Sequence, residues 1–192
     1  AAPTGIGFRS LSPVMSIDTM MEGLVECVKS GLTRTVGVSN FSQTQMLAAY
    51  SSLAQHNIPL ASNQVHYSLL NRTVEKNGTL ARCNELGVRL IAYSPIEKGL
   101  LSGKYSVNTP PPGARSRNYA NLLPRISPLL KLMTEIGQDH GGKSNAQVAL
   151  NWVICKGALP IPGAKNADQA QENAGALGWR LTDQEFARLD ET

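Results

Sequence analysis

Cysteine and histidine are scarce, at three each in 192 residues. Cys27, Cys83 and Cys155 are odd in number and far apart. That excludes a C-x-x-C metal or redox motif and suits reduced, buried thiols. His56, His66 and His140 show no ligand spacing, so no metal site is expected. No apolar run approaches the roughly 18 residues that a membrane helix needs. Ala1-Ala2-Pro3 offers neither the basic start nor the apolar core of a signal peptide, and the absence of an initiator Met suggests a processed or truncated chain. Basic runs are missing as well. The net charge of +4 is scattered, with Arg115 and Arg117 the nearest thing to a cluster. Such a balance suits an anionic small ligand and argues against nucleic acid.

What is present is ordinary for a soluble globular protein, at 42% hydrophobic and 17% charged residues. The length allows one domain with a real core, and no linker or composition shift divides residues 1–192. Ile17, Met20, Met21, Leu24, Val25 and Val28 form a helical stripe, capped by Ser16 and ended by Gly31. Both methionines are expected in the core. Thr35–Val38 reads as a strand. Ser42 and Gln45 open a helix with Met46, Leu47, Tyr50, Leu53 and Ala54 inward. Ala61–Val65 reads as a second strand. One helix follows Asn71-Arg72, with Leu80, Cys83 and Leu86 on a face and Gly87 as its stop. Val88–Tyr93 is the clearest strand. A connection from Ile96 to Ser127, with Pro110, Pro111, Pro112 and Gly113, leads to a helix over 128–139. Ser144 and Gln147 cap another helix, with Val148, Trp152 and Val153 inward. Thr182 and Glu185 cap the last, with Phe186 and Leu189 apolar.

The chain is organised around Leu159-Pro-Ile-Pro-Gly-Ala-Lys-Asn166. It reads as a short buried strand, a glycine turn and a helix start, with Asn166 as N-cap and Gln169 placed for a capping box. Gly163 lets the backbone approach a ligand, the helix start offers unpaired N–H groups to a phosphate, and Lys165 adds a charge.

The order is therefore α, then βα four times, then α. Repeated βα units call for a parallel sheet with helices outside, either doubly wound or part of a (β/α)8 barrel. In both, ligands bind at the carboxyl ends of the strands. Those ends carry Ser39 and Asn40, then Gln64, then Tyr93 and Ser94, then Gly163, Lys165 and Asn166. This rim suits a planar amide-bearing group, a flat ring on Tyr93 and a phosphate near Lys165. It holds no carboxylate pair for glycoside hydrolysis and no Ser-His-Asp set. His66, two past Gln64, shares that strand face if the strand extends so far; it and Tyr67 are assigned structural roles. A phosphate turn after the last strand places these strands as numbers five to eight of a barrel.

Several motifs now coincide: Gly37-Val-Ser-Asn-Phe41, Ser62-Asn-Gln-Val65, Ala92-Tyr-Ser-Pro-Ile96, Gly99-Leu-Leu-Ser-Gly-Lys-Tyr105, Ala149-Leu-Asn-Trp152, and Pro160 to Asn166 with Glu172-Asn173. In this order they resemble the carboxyl-terminal half of an aldo-keto reductase, of the branch with plant plastid-type reductases and potassium-channel β-subunits. The resemblance covers residues 17–190 and implies an α/β fold that is half of a barrel, without the amino-terminal half. It also implies an NADP(H) site. Ser39, Asn40 and Gln64 match residues that hold the nicotinamide carboxamide, and Tyr93 the aromatic that stacks on the ring. Ser94, Pro95, Ile96, Gly99 and Lys104 match the pyrophosphate stretch. Arg117, or Arg115, matches a basic residue of a clamping loop. Gly163, Lys165, Gln169, Glu172 and Asn173 match the adenosine end, where Lys165 favours a 2′-phosphate.

The family's proton-donating Tyr, with its Asp, Lys and His, belongs to the first half of the barrel, and none of the four is assignable here. Tyr93 has no Lys or His partner in its motif. The implied reaction is hydride transfer between the nicotinamide and an aldehyde or ketone, with this chain supplying cofactor positioning and inactive alone. The resemblance leaves two alternatives: a non-catalytic NADP(H)-sensing or protein-interaction module of channel β-subunit type, or a fragment without function. Open barrel edges are expected to self-associate or to take a partner. Cytosol and plastid stroma both suit reduced thiols.

Overall fold

The computed structural model describes residues 16–106, 108–113, 119 and 121–192. Four strands, β1 (Val36–Ser39), β2 (Leu60–His66), β3 (Arg89–Tyr93) and β4 (Leu159–Ile161), pair in parallel in the order β1-β2-β3-β4. Parallel neighbours cannot be joined by a tight turn, so each connection crosses over through helix. α1 (Ile17–Lys29) precedes the sheet and α2 (Gln43–Ala54) joins β1 to β2. α3 (Thr73–Lys76) and α4 (Thr79–Leu86) join β2 to β3. A 3₁₀ turn at Glu97–Ser102, then α5 (Leu123–Asp139) and α6 (Asn145–Cys155), lead to β4. α7 (Ala167–Ala174) and α8 (Asp183–Glu191) follow it.

Local chemistry explains most of these boundaries. The Ser16 hydroxyl accepts from the Thr19 N–H at 3.1 Å. Ser42 with Gln45, Ser144 with Gln147 and Thr182 with Glu185 each close a reciprocal capping box. A cap of this kind is worth about 1 kcal/mol. Two helix readings are corrected. The helix expected after Asn71 is two helices, broken at Asn77-Gly78, where Gly78 takes φ 74°. α5 starts at Leu123 and not at 128. Pro124 falls in its first turn, where a missing N–H costs nothing, and Leu123 and Ile126 are buried with Leu100.

The helices cover one face of the sheet. Asn63, Val65, Leu90 and Ala92 are buried there. Strand alternation puts Ser39, Gln64, Ile91 and Leu159 in one row of the opposite face, and His66, Tyr93 and Ile161 in the next. Among the described residues that face is uncovered, its side chains exposed or half-buried. The expectation of a buried fourth strand is therefore wrong: Leu159 is 51% and Ile161 42% exposed, because β4 lies at the sheet edge and points both outward. The inward stripes are also narrower than the pattern suggested. Met21, Val25, Met46, Ala49 and Leu53 are buried, whereas Met20, Leu47 and Ala54 are exposed on the flanks of their helices. Among the three free thiols, Cys83 is fully buried, and burial pushes it up to about 11. No helix among the described residues is long and apolar enough to cross a membrane.

A charged network locks the crossovers together behind the sheet. Trp152 is fully buried, with the Arg72 guanidinium 5.3 Å and the Lys156 ammonium 5.1 Å from its ring centroid. Its Nε1 donates to Asp190 at 2.9 Å. Arg72 pairs with Glu75 at 2.6 Å and with Asp190 at 3.2 Å, and Lys156 reaches Asp190 at 2.6 Å. The buried Tyr67 hydroxyl donates to Glu75 at 2.5 Å. Burial, reinforced by that carboxylate, pushes the phenol far above its ordinary value. Burial also raises the Glu75 carboxyl, but hydrogen bonds from Arg72 and Tyr67 outweigh it, and the balance lies below the usual range. At Asp190 burial is likewise outweighed, by hydrogen bonds from Lys156 and Trp152.

Two predictions follow from packing and charge. A Cβ on Gly137 would stand 2.0 Å from the Lys143 carbonyl oxygen, a backbone atom that cannot swing away. Gly137→Ala should cost about 1–3 kcal/mol in urea unfolding, as overpacking does. Because the folded pKa values of Glu75 and Asp190 are depressed, their stabilisation is complete above the unfolded values near about 4 and is lost as pH falls through the folded ones. Urea midpoints should drop on that acid limb, and Glu75→Gln should flatten it while costing roughly 3 kcal/mol at neutral pH. Parallel pH profiles for the two proteins would contradict this.

Candidate functional site

The four strands point their carboxyl ends at one rim, and the rim residues of the first three strands form one hydrogen-bonded set. The Ser39 hydroxyl and the Asn40 N–H both donate to the Gln64 carbonyl, at 3.0 and 2.8 Å. The Asn40 amide nitrogen donates to the Ser39 hydroxyl at 3.3 Å. The Tyr93 hydroxyl donates to the Asn40 amide oxygen at 3.2 Å. The ring of Tyr93 is thereby held at its far end, across β2, by the loop after β1. The Gln64 side chain lies on the uncovered face between them.

Backbone strain concentrates on the same rim. Asn40, Ser94, Glu97 and Lys98 have φ between 48° and 57°, the left-handed region that side chains resist. Asn57, at the end of α2, is the one other non-glycine residue of this kind among the described residues. Each such residue costs of order 1–3 kcal/mol and persists where its surroundings over-determine it. In the turn after β3, the Glu97 N–H donates to the Ser94 carbonyl at 2.9 Å and the Gly99 N–H to the Ile96 carbonyl at 3.0 Å. Pro95 and Gly99 are buried and Ile96 is half-buried. The Lys104 side chain folds over Gly99 and sets its ammonium 4.7 Å from the Tyr105 ring centroid.

The turn after β4 is laced to α7. The Asn166 side chain accepts from the Gln169 N–H at 3.0 Å. The expected reciprocal bond is displaced by one residue: the Gln169 side chain accepts from the Lys165 N–H, at 2.9 Å, and not from Asn166. Asn173 donates to the Gly163 carbonyl at 3.4 Å. A Cβ built on Gly163 meets nothing within 4 Å, so the backbone there is open to a ligand. Lys165 and Glu172 are exposed in the turn and helix that follow it, and Asp168 lies in the first turn of α7. Arg115 and Arg117 lie outside the described residues.

His66 belongs to the rim as well: β2 extends to it, so it shares the face of Gln64, as sequence reasoning allowed while assigning it a structural role. Its ring stacks on Tyr93, with centroids 5.2 Å apart and planes 14° from parallel, while the Tyr93 hydroxyl is bonded to Asn40 and not to this histidine. The Asn71 amide nitrogen donates to His66 Nδ1 at 2.8 Å, and His66 Nε2 donates to the Glu97 carboxylate at 2.7 Å. Ser68, fully buried, donates to the same carboxylate oxygen at 2.6 Å. Glu97 lies 31 residues from His66, so no local spacing pairs them. The one available signal is strand register, which sets His66 opposite Tyr93. A cleft of about 670 Å³ opens beside this group, with His66, Asn71, Glu97 and Leu100 in its wall.

Comparison with known proteins gives this geometry a context. The model of the aldo/keto reductase family matches residues 8–192. A chloroplastic pyridoxal reductase of Arabidopsis thaliana is 42% identical over 181 residues, which cover 94% of this chain and 49% of that protein. An L-glyceraldehyde 3-phosphate reductase of Escherichia coli is 33% identical over 180 residues, covering 88% and 51%. The solved structure of a glycerol dehydrogenase from Gluconobacter oxydans superposes with a TM-score of 0.79 at 28% identity, over 92% of this chain and 54% of that one. The chain thus spans about half the length of the curated relatives it matches.

Asn40 is the residue whose replacement tests the rim as a unit. Asn40→Ala removes the acceptor of the Tyr93 hydroxyl and keeps a side chain on a left-handed backbone, so unfolding should shift by about 1–3 kcal/mol. Glycine takes that backbone freely. Thermal midpoints should rank Asn40 first, Asn40→Gly second and Asn40→Ala last. A glycine variant below the alanine one would refute the strain assignment.

Proposed function

The chain belongs to the aldo/keto reductase family, and on that premise we propose that it forms the cofactor-holding half of an NADPH-dependent reductase of aldehydes or ketones. The observation that carries this is the rim itself, where Ser39, Asn40, the Gln64 backbone and Tyr93 already form one hydrogen-bonded set on an uncovered sheet face.

The residues fit a nicotinamide dinucleotide. The side chains of Ser39, Asn40 and Gln64 present hydroxyl and amide groups of the kind a carboxamide needs, since it both donates and accepts. Tyr93, fixed at its hydroxyl and along one side, offers a flat ring for stacking. The strained turn of Ser94, Pro95, Ile96 and Gly99, with Lys104 folded across it, borders the pyrophosphate. The open backbone at Gly163, the Lys165 ammonium and the polar groups of Gln169, Glu172 and Asn173 receive the adenosine end. Lys165 selects a 2′-phosphate, since a charge-assisted bond of this kind is among the strong ones. Arg117 or Arg115 adds a cation from the long loop.

The bound nicotinamide supplies the hydride. The carbonyl oxygen that receives it needs a proton from an acid within hydrogen-bond reach. Tyr93 and His66 stand at the rim with their donors committed, to Asn40 and to Glu97. As the resemblance to aldo-keto reductases implies, the acid belongs to the other half of the barrel, and in this reading the 192-residue chain by itself turns over no carbonyl. Its four strands are numbers five to eight of a (β/α)8 barrel in this reading, and the other half covers the exposed Leu159 and Ile161 and the edges of β1 and β4. Relatives named for pyridoxal and for glyceraldehyde 3-phosphate support an aldehyde as the substrate. The chloroplastic relative makes the plastid stroma a candidate compartment beside the cytosol.

Calorimetric titration of the 192-residue chain tests the cofactor assignment. NADPH should bind more tightly than NADH. Lys165→Ala should weaken NADPH by about tenfold or more and leave NADH almost unchanged. Absence of NADPH binding would sink the reading, as would equal weakening of both cofactors.

A further inference from the structure

We propose that Glu97 is a positioning residue that ties the strained turn over residues 94–99 to the support beneath the Tyr93 ring, an inference that rests on the cofactor reading above. The turn needs such a tie. Ser94, Glu97 and Lys98 hold φ values of 53°, 48° and 55°. The backbone bonds from Glu97 to Ser94 and from Gly99 to Ile96 stay within the turn and anchor it to nothing else. The Glu97 carboxylate leaves the turn and accepts from His66 Nε2 and the Ser68 hydroxyl, at 2.7 and 2.6 Å.

Both donors are aimed by their other bonds. The Ser68 oxygen accepts from the N–H groups of Leu70 and Asn71, at 3.2 and 3.0 Å, which leaves its own proton for Glu97. The Asn71 side-chain oxygen accepts from the Thr73 N–H, so its nitrogen faces His66 Nδ1 and the ring hydrogen sits on Nε2. The same imidazole stacks on Tyr93. One carboxylate therefore sets both the path of the turn that borders the pyrophosphate and the ring against which Tyr93 rests. The two ends of the nicotinamide half are built as one piece.

The test uses the 192-residue chain, unmodified and as Glu97→Ala, Glu97→Gln and His66→Phe, titrated calorimetrically with NADPH and with 2′,5′-ADP. Thermal unfolding is recorded in parallel. Glu97→Ala should weaken NADPH by about tenfold and leave 2′,5′-ADP, which reaches only the Lys165 end, within about twofold. Glu97→Gln keeps an oxygen that accepts both bonds and should restore NADPH affinity to within about threefold. His66→Phe keeps a flat ring but donates nothing to Glu97, and should weaken NADPH by about threefold or more while sparing 2′,5′-ADP, short of Glu97→Ala because the Ser68 bond remains. This second variant holds the test open if Glu97→Ala fails to fold. Parallel weakening of both ligands, unchanged NADPH affinity in Glu97→Ala, or a glutamine variant as poor as the alanine one overturns the proposal. An unmodified chain that binds neither ligand overturns the cofactor reading, and the proposal with it. Binding by the unmodified chain with no effect of Glu97→Ala overturns the proposal alone.

Discussion

Parallel strand pairing is the constraint on which the rest of this structure depends. Parallel neighbours must be joined by crossovers, and the crossovers here carry helices that cover one face of the sheet. The same pairing sends all four carboxyl ends to one edge. Ser39, Gln64, Tyr93 and Gly163 are scattered over more than half the chain, yet they share a rim because of direction alone. Side chains on the uncovered face then alternate with those in the core, so one strand such as Asn63-Gln64-Val65 serves packing and rim together.

The second organising element is ionic. Glu75 and Asp190 are half-hidden carboxylates shared among Arg72, Lys156, Tyr67 and Trp152. Two cations lie over one indole, and neither is left without an oxygen. The arrangement joins the segment after β2, the helix α6 and the final helix α8. Buried ion networks are weak evidence for stability as such, but they tolerate the loss of a member badly. Their value here is geometric, since they fix where the outer helices stand relative to the strands that build the rim.

Local signals in the sequence were legible where a few neighbouring residues decide the outcome. The capping serines and threonine, the strands at Leu60–His66 and Arg89–Tyr93, and the glycine stop after α4 all follow from chemistry within four residues. The rim positions were legible too, because strand ends follow from strand limits. What escaped was decided at a distance. Leu159 and Ile161 read as core because they are apolar, but exposure is set by whatever covers the face. Met20 and Leu47 fit a helical period yet sit at the margin of their stripes. The helix expected from residue 128 begins at Leu123, because burial of Leu123 and Ile126 extends it toward its N-terminus through Pro124. The Glu97–His66 bond could not be seen at all, since it joins a turn to a strand end through a fold that has to exist first.

Asp190 gives the charged network a temporal aspect. Its backbone carbonyl and carboxylate meet Arg72 across a separation of 118 residues, among the longest loops in the molecule. The partner on the near side, Glu75, is three residues from Arg72 and pairs with it as soon as one helical turn forms. The network therefore has a local half and a distant half. The Arg72–Glu75 pair needs one helical turn, whereas the Asp190 contacts need α8 to return to the segment behind β2. Contacts of such high order place their entropy cost before their reward, which slows folding more than it weakens the folded state. A nascent chain stopped short of residue 190 would keep every strand and still lack its latch.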